Sequence, residues 1–144
     1  GDIIYQKSIA LSIDESWDTL AAKLAICVPV MLDELLLDFS KYYNSAKKQG
    51  LGSYWPKIEL HHRTISWNSN VKEIQKLARA CGRFGVVANV EGQIMLVNQI
   101  LVSQCQHNKA PGIVIKEDDE TYVMSASDGI VILMKRNIIE RLQN

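Results

Sequence analysis

The chain has 144 residues, with 16 basic and 16 acidic side chains and a formal net charge of zero. Hydrophobic residues make up 47% and charged residues 22%, a balance that excludes a disordered tail and fits a globular domain. The length predicts one domain, or one domain plus part of another, able to bury most of its surface without staples.

No apolar run approaches the ~20 residues of a bilayer-spanning helix. The richest stretch, Leu20 to Leu37, is interrupted by Lys23, Pro29, Asp33 and Glu34. No basic-then-apolar start resembles a signal peptide, so no membrane partner is expected. The cysteines are Cys27, Cys81 and Cys105, an odd count with no Cys-x-x-Cys pair. That pattern argues against a disulfide framework and a cysteine zinc site. All three read as small buried hydrophobes in a cytoplasmic protein.

In chain order, Ile3 to Leu11 reads as a strand, with Ile3, Tyr5, Ile9 and Leu11 on one parity. Ser12 or Asp14 is the expected helix cap, with Glu15 completing a capping box from Ser12. The helix that follows is expected to kink or restart at Pro29, which has no backbone N–H. Its apolar face continues to Phe39, and Gly50 to Ser53 is the best linker signal. Ile58 to Trp67 reads as a second strand. Asn68-Ser69-Asn70 caps a short amphipathic helix marked by Val71, Ile74, Leu77 and Ala78 and ended by Gly82.

Short strands come next. Phe84 to Val90 and Gln93 to Val102 flank Glu91-Gly92, a tight hairpin signal. Pro111-Gly112 opens a strand from Ile113 to Lys116, and the acidic run Glu117 to Glu120 makes a turn. Tyr122 to Ala126 and Ile130 to Met134 flank Asp128-Gly129, a second hairpin signal. Five or six short strands with turns about every ten residues suggest a small barrel or sandwich.

The search for chemistry returns little. His61 and His62 are adjacent on an expected strand and point to opposite faces, which suits no single metal. His107 sits in a polar loop. Gly82 to Gly85 is too short for a phosphate-binding loop and lacks the Lys-Ser/Thr sequel. The Glu117 to Glu120 cluster does not have calcium-loop spacing. No Ser, Cys or Thr lies in a nucleophile motif, so neither a catalytic nor a metal site is assigned.

The neutral total hides an asymmetry. Residues 1–40 carry a net −5, residues 41–83 a net +7, and residues 84–144 a net −2. The basic middle segment can face an anionic ligand, or it is solvated helix face and linker.

Several segments, taken together and in order, resemble the 10-formyltetrahydrofolate-dependent formyltransferases. Gly1-Asp2-Ile3-Ile4-Tyr5-Gln6, followed by Ile13 to Leu24, looks like the segment after that family's Asp-x-Gly-Asp-Ile motif. Ser53-Tyr54-Trp55-Pro56-Lys57-Ile58 is similar to the exit of the family linker. Thr64-Ile65-Ser66-Trp67 with Val71, Ile74, Arg79 and Ala80 resembles the Ile-Asp-Trp … Ile … Arg-Ala stretch. Ala110 to Val114 and Ser127 to Val131 resemble the closing Pro-Gly … Asp-Gly strands. Two positions depart from the pattern. Ser66 stands for the usual Asp before Trp67, and Gly82-Arg83-Phe84-Gly85 stands where a Pro-Trp-Pro-Gly-like turn is common in translation-initiator members.

The resemblance implies an α+β chain. Residues 1–49 would be the last strand and helix of a Rossmann-like catalytic domain, residues 50–56 a linker, and residues 57–144 an OB-like β-barrel domain. The family's catalytic Asn, His and Asp and its folate-binding loops would lie before Gly1. No catalytic or cofactor-binding residue is carried over, and 10-formyltetrahydrofolate would be held by the parent enzyme outside this chain.

The chain would then be a substrate-positioning portion, inactive alone, of an enzyme that formylates an amine acceptor. That acceptor is an aminoacyl-tRNA, an amino sugar or a carrier-bound amine. Lys47, Lys48, Lys57, Arg63 and Arg83 are the expected acceptor contacts, lining the face between catalytic domain and barrel. The partner would be an N-terminal catalytic domain or subunit, or a second copy, because Ile3, Tyr5, Ile9, Leu24 and Leu35 lose their neighbours without the larger sheet. The alternatives are a non-catalytic binding module and an inhibitor or partner protein.

Overall fold

The structure, a computed structural model, describes residues 1–142; the last two positions of the expected 57–144 domain lie outside the described residues. Contacts divide the chain into two units, Gly1–Lys57 and a second beginning at Ile58.

The first unit is built on one long helix. α1 spans Trp17–Leu37, and α2 spans Phe39–Asn44. Ser16 caps α1 through a reciprocal capping box with Thr19. The expected cap from Ser12 is not made; Ser12 and Glu15 instead bond each other in a turn before the helix. The expected restart at Pro29 is absent: α1 is assigned as one helix through it. Losing one N–H leaves one carbonyl a turn earlier without its helical donor, and the flanking turns remain bonded.

The expected strand at Ile3 to Leu11 is an extended segment in which only Ile3 pairs, in an antiparallel bridge with Lys47. A strand needs a neighbour to satisfy its backbone, and the described residues of this unit offer one rung. Tyr5 donates to Glu34 of α1 and packs its ring 4.9 Å from that of Tyr42.

The second unit carries the core. A 3₁₀ turn at Leu60–Arg63 takes the place of the expected strand, which survives as a single parallel bridge from Thr64 to Val87. α3 spans Val71–Cys81, with Asn70 as its N-cap and Gly82 at its C-terminus, as the spacing predicts. Seven strands follow among the described residues: β1 Val86–Val90, β2 Gln93–Val97, β3 Ile100–Gln104, β4 Val114–Glu117, β5 Thr121–Ser125, β6 Gly129–Met134 and β7 Ile138–Leu142.

The hairpin signals hold. β1 and β2 pair with Val90 opposite Gln93, leaving a two-residue turn in which Glu91 and Gly92 both have positive φ. The Asp128-Gly129 turn joins β5 to β6. The single strand expected from Gln93 to Val102 divides at Asn98-Gln99, and its halves enter different sheets. β7, which the sequence did not announce, completes the first of them.

Strand pairing gives two antiparallel sheets, one ordered β1-β2-β7 and the other β3-β6-β5-β4. No pairing closes them into the expected barrel among the described residues. The chain changes sheet twice, at Asn98-Gln99 and at Lys135–Asn137. Asn98 N–H donates to the Asn137 carbonyl at 3.2 Å, and the Asn137 amide reaches Gln99 Oε1 at 3.4 Å. The two crossovers are thus bonded to each other. One hydrophobic cluster fills the second unit, with Ile74, Met95, Met124, Val131 and Leu133 among its members, and no residue before Ile65 is buried. Of the cysteines only Cys81 is buried; Cys27 and Cys105 are half-exposed, a correction to their expected burial.

Candidate functional site

Three of the segments that carried the family resemblance, residues 64–80, 110–114 and 127–131, meet in the second unit, and what they build is scaffold. The Trp67 indole donates to the Asn89 carbonyl at 2.9 Å and lies against the backbone of Gly112. The Asp128 carboxylate accepts the Val71 N–H at 2.8 Å, capping α3 from 57 residues away in sequence, and takes a second bond from Gln104. Ser125 is fully buried, and its hydroxyl donates to the Ala110 carbonyl at 2.6 Å beside the Pro111-Gly112 turn. These residues hold α3 and the loops against the sheets; none presents a reactive group.

The five basic residues singled out from sequence divide between the units. Lys47, Lys48 and Lys57 belong to the first, and all three side chains are exposed. Lys47 is fixed through its backbone, which exchanges both bonds with Ile3. Beside Lys57 stand Tyr54 and Trp55, 90% and 83% exposed. Arg63 and Arg83 belong to the second unit. Arg63 is half-buried, and its Nη1 donates to the carbonyls of Phe84 at 2.5 Å and Gly85 at 3.3 Å. It therefore clamps the turn that contains the exposed Arg83.

Sequence reasoning passed over a further basic row. Lys72, Lys76 and Arg79 are spaced i, i+4, i+7 on α3 and so share one helix face, with Lys72 and Lys76 exposed. The signal was present in that spacing and was absorbed into the overall +7 of the segment.

The histidines do not form a reactive set. His61 and His62 lie on the 3₁₀ turn, where their rings approach to 3.8 Å between centroids instead of diverging. His61 Nδ1 is 3.3 Å from Glu59 Oε2, and His62 Nδ1 accepts the Glu59 N–H at 3.1 Å. His107 Nδ1 accepts the Lys109 N–H at 3.3 Å, which places the ring proton on Nε2, 2.8 Å from the Gly129 carbonyl. It borders an open cleft with Gln104, Cys105, Gln106, Ser127 and Asp128. No group of three His, Cys, Asp or Glu side chains among the described residues is placed to hold a metal.

In the acidic turn, Asp118 accepts from Lys116 at 2.7 Å, from Thr121 N–H at 2.8 Å and from Glu120 N–H at 3.0 Å. Those bonds, led by Lys116, hold its pKa well below the usual carboxylate range. The carboxylate is spent on ordering the β4–β5 turn. No helix among the described residues is long and apolar enough to cross a membrane.

Comparison with known proteins gives this scaffold a family. Residues 57–140 match the family described as formyl transferase, C-terminal domain. Methionyl-tRNA formyltransferase of Caldanaerobacter subterraneus subsp. tengcongensis is 29% identical over 136 residues, covering 92% of this chain and 44% of that protein. The enzyme of the same name from Pseudothermotoga lettingae is 23% identical over 135 residues, with the same coverage. The chain thus spans less than half the length of these relatives. Crystal structures of HypX from Aquifex aeolicus share the fold. A variant gives a TM-score of 0.73 at 19% identity over 92% of this chain and 24% of that one. The complex with tetrahydrofolic acid gives 0.73 at 20% identity, over the same shares. The match to the family model covers more than half of the chain and all of its buried core, and the chain belongs to the formyl transferase C-terminal domain family.

Proposed function

We propose that the chain is the C-terminal, acceptor-positioning portion of a cytoplasmic formyltransferase that moves a formyl group from 10-formyltetrahydrofolate to an amine. The observation that carries this reading is the division of labour between the two units. The second has a complete core and spends its motif residues on scaffold. The first is a helix without one buried side chain, as expected of an element that packs into a larger body.

In this reading residues 1–49 are the last strand and helix of a Rossmann-like catalytic domain, and the two sheets of the second unit form an OB-like module. The folate and the catalytic Asn, His and Asp belong to the N-terminal catalytic portion. The extended segment at Ile3 to Leu11 becomes a strand when that portion supplies its neighbours. Lys47, Lys48 and Lys57 of the first unit meet the acceptor's phosphates beside the exposed Tyr54 and Trp55; on the second unit, Arg83 offers a basic contact of its own on the turn that Arg63 holds. An aminoacyl-tRNA fits these charges better than an uncharged amino sugar does.

The test uses the chain alone and within the intact enzyme. Given 10-formyltetrahydrofolate and methionyl-tRNA, the isolated chain is expected to transfer no formyl group, and turnover would refute the reading. In the intact enzyme, changing Lys47, Lys48 and Lys57 together to Glu is expected to raise KM for the tRNA about tenfold or more at low salt. An unchanged KM would remove these residues from the acceptor site.

A further inference from the structure

α1 carries an apolar seam on one side and, opposite it, a mixed seam of three apolar and three polar or charged residues, and one covering body accounts for only the first. Trp17, Ala21, Leu24, Val28, Met31 and Leu35 follow alternating steps of four and three residues, the repeat of a helix-packing seam. This side is already partly sheltered, with Ala21, Met31 and Leu35 half-buried, and it is the side that the proposed catalytic body covers. On the other side Thr19, Lys23, Ile26, Val30, Asp33 and Leu37 follow the same steps. All six are exposed, Ile26 at 73% and Leu37 at 87%. From Leu24 to Leu32 no charged side chain interrupts the helix on any face, a composition found where helices are covered all round.

We infer that the Thr19–Leu37 seam of α1 pairs with the same seam of a second copy of this chain, the two helices lying antiparallel about a two-fold axis level with Val28. The charges on the seam choose this partner and this orientation. In that pairing Ile26 lies level with Val30 of the second copy, and Lys23 lies level with Asp33, so the two-fold axis generates two layers of opposite charge. A parallel pairing in register would set Lys23 against Lys23 and Asp33 against Asp33. A shift of one heptad in the antiparallel pair would set either Lys23 against Ile26 or Asp33 against Val30 and leave the other charge at or beyond a helix end. Single polar layers of this kind fix register and orientation in paired helices. The seam is two-fold self-complementary, as a closed dimer requires.

Lys23 already pairs with Glu15 of its own chain. Its ammonium has three donors, so it holds Glu15 and reaches Asp33 of the second copy together. Asp33 has no bonded partner among the described residues. At 21 residues α1 is about 31 Å long, enough for six such layers.

This inference goes beyond the formyltransferase reading, which concerns the opposite seam, and its test does not involve formyl transfer. The 144-residue chain is followed by sedimentation equilibrium at low salt, alongside Lys23→Asp and Asp33→Lys variants whose circular dichroism matches the parent. The parent is expected to dimerise. Each variant alone places like charges in both layers and is expected to dimerise at least tenfold more weakly. Equal parts of the two variants place opposite charges in both layers and are expected to recover a one-to-one dimer. A misfolded variant could not be rescued by mixing. A monomeric parent, variants that associate as tightly as the parent, or a mixture that stays monomeric would each overturn the proposal.

Discussion

The two units of this chain draw on the same kinds of side chain and bury them to opposite extents. α1 carries more large apolar residues than any single strand of the second unit, yet none of its residues is buried. β6, with six residues, buries Gly129, Val131 and Leu133 on one face. The difference lies in what stands opposite. The buried faces of β6 and α3 meet other elements of the same unit, while α1 meets an extended segment and one short helix. Hydrophobic content supplies a driving force, and only an opposing layer turns it into burial.

The sharpest way to break this comparison is to delete equivalent bulk on both sides. Leu133→Ala removes a fully buried side chain and is expected to destabilise the second unit by about 3 kcal/mol. Leu24→Ala, at a side chain 44% exposed, is expected to change stability by less than about 1 kcal/mol. Urea unfolding of both variants measures the difference. Equal losses would mean that α1 is covered in solution after all.

A Cβ added at Gly129 would lie 2.3 Å from the Ser103 carbonyl oxygen and 2.9 Å from Gln104 Cα, both backbone atoms of the paired strand β3. Gly129→Ala is therefore expected to cost about 2 kcal/mol by forcing β3 and β6 apart. The same change at Gly50, where nothing lies within 4 Å, is expected to be neutral in the same melt. Next in size is Arg63→Ala, which leaves the Phe84 and Gly85 carbonyls without their charged donor. About 1 kcal/mol is expected from thermal unfolding, against no measurable change for the exposed Lys48→Ala. If Arg63 served only an acceptor, its removal would leave the melt untouched.

The smallest effects separate the units by pH. In the first unit, bonds from Lys23, then Thr19 and Ser12, hold the Glu15 pKa at about 2 against an ordinary 4.5. The stability from these bonds is complete above about pH 4.5 and is lost as the pH falls towards 2. The hydrogen bond to Glu34 pushes the Tyr5 pKa up to about 12 from 10. That contribution is complete below pH 10 and is lost as the pH rises through about 12. NMR resonances of the first unit are therefore expected to shift at both extremes, while those of Val131 and Leu133 hold. Lys23→Ala should return the Glu15 midpoint towards 4.5, and an unmoved midpoint would remove Lys23 as its cause.

How much was legible in sequence depended on how far apart the cooperating residues lie. The Asn70 cap, the Gly82 stop and the Glu91-Gly92 turn act within one turn of chain and were read correctly. The cap of α1 was misplaced by four residues because Ser12 and Ser16 each have a bonding partner three positions later. The division of Gln93 to Val102 between two sheets escaped because it depends on pairing with distant β7 and β6, and the crossover is bonded to Asn137, 39 positions away. The segment Ile58 to Trp67 alternates like a strand, but with one bridge to Val87 it coils into a 3₁₀ turn capped by Glu59. For the site, Lys47, Lys48 and Lys57 were read as exposed charges and are so. The commitment of Arg63 to two carbonyls could not be read, since those carbonyls lie 21 and 22 residues further on.

By itself, then, the sequence determined the family, the local turns and caps, and the charge of the segment between residues 41 and 83, all properties of short stretches or of their order. The tertiary structure decided which strands share a sheet, that Asp128 caps α3, that the motif residues are scaffold, and that α1 stays uncovered. Those outcomes depend on which distant groups meet, and a local pattern specifies what a segment can bury or bond without specifying whether a partner stands opposite.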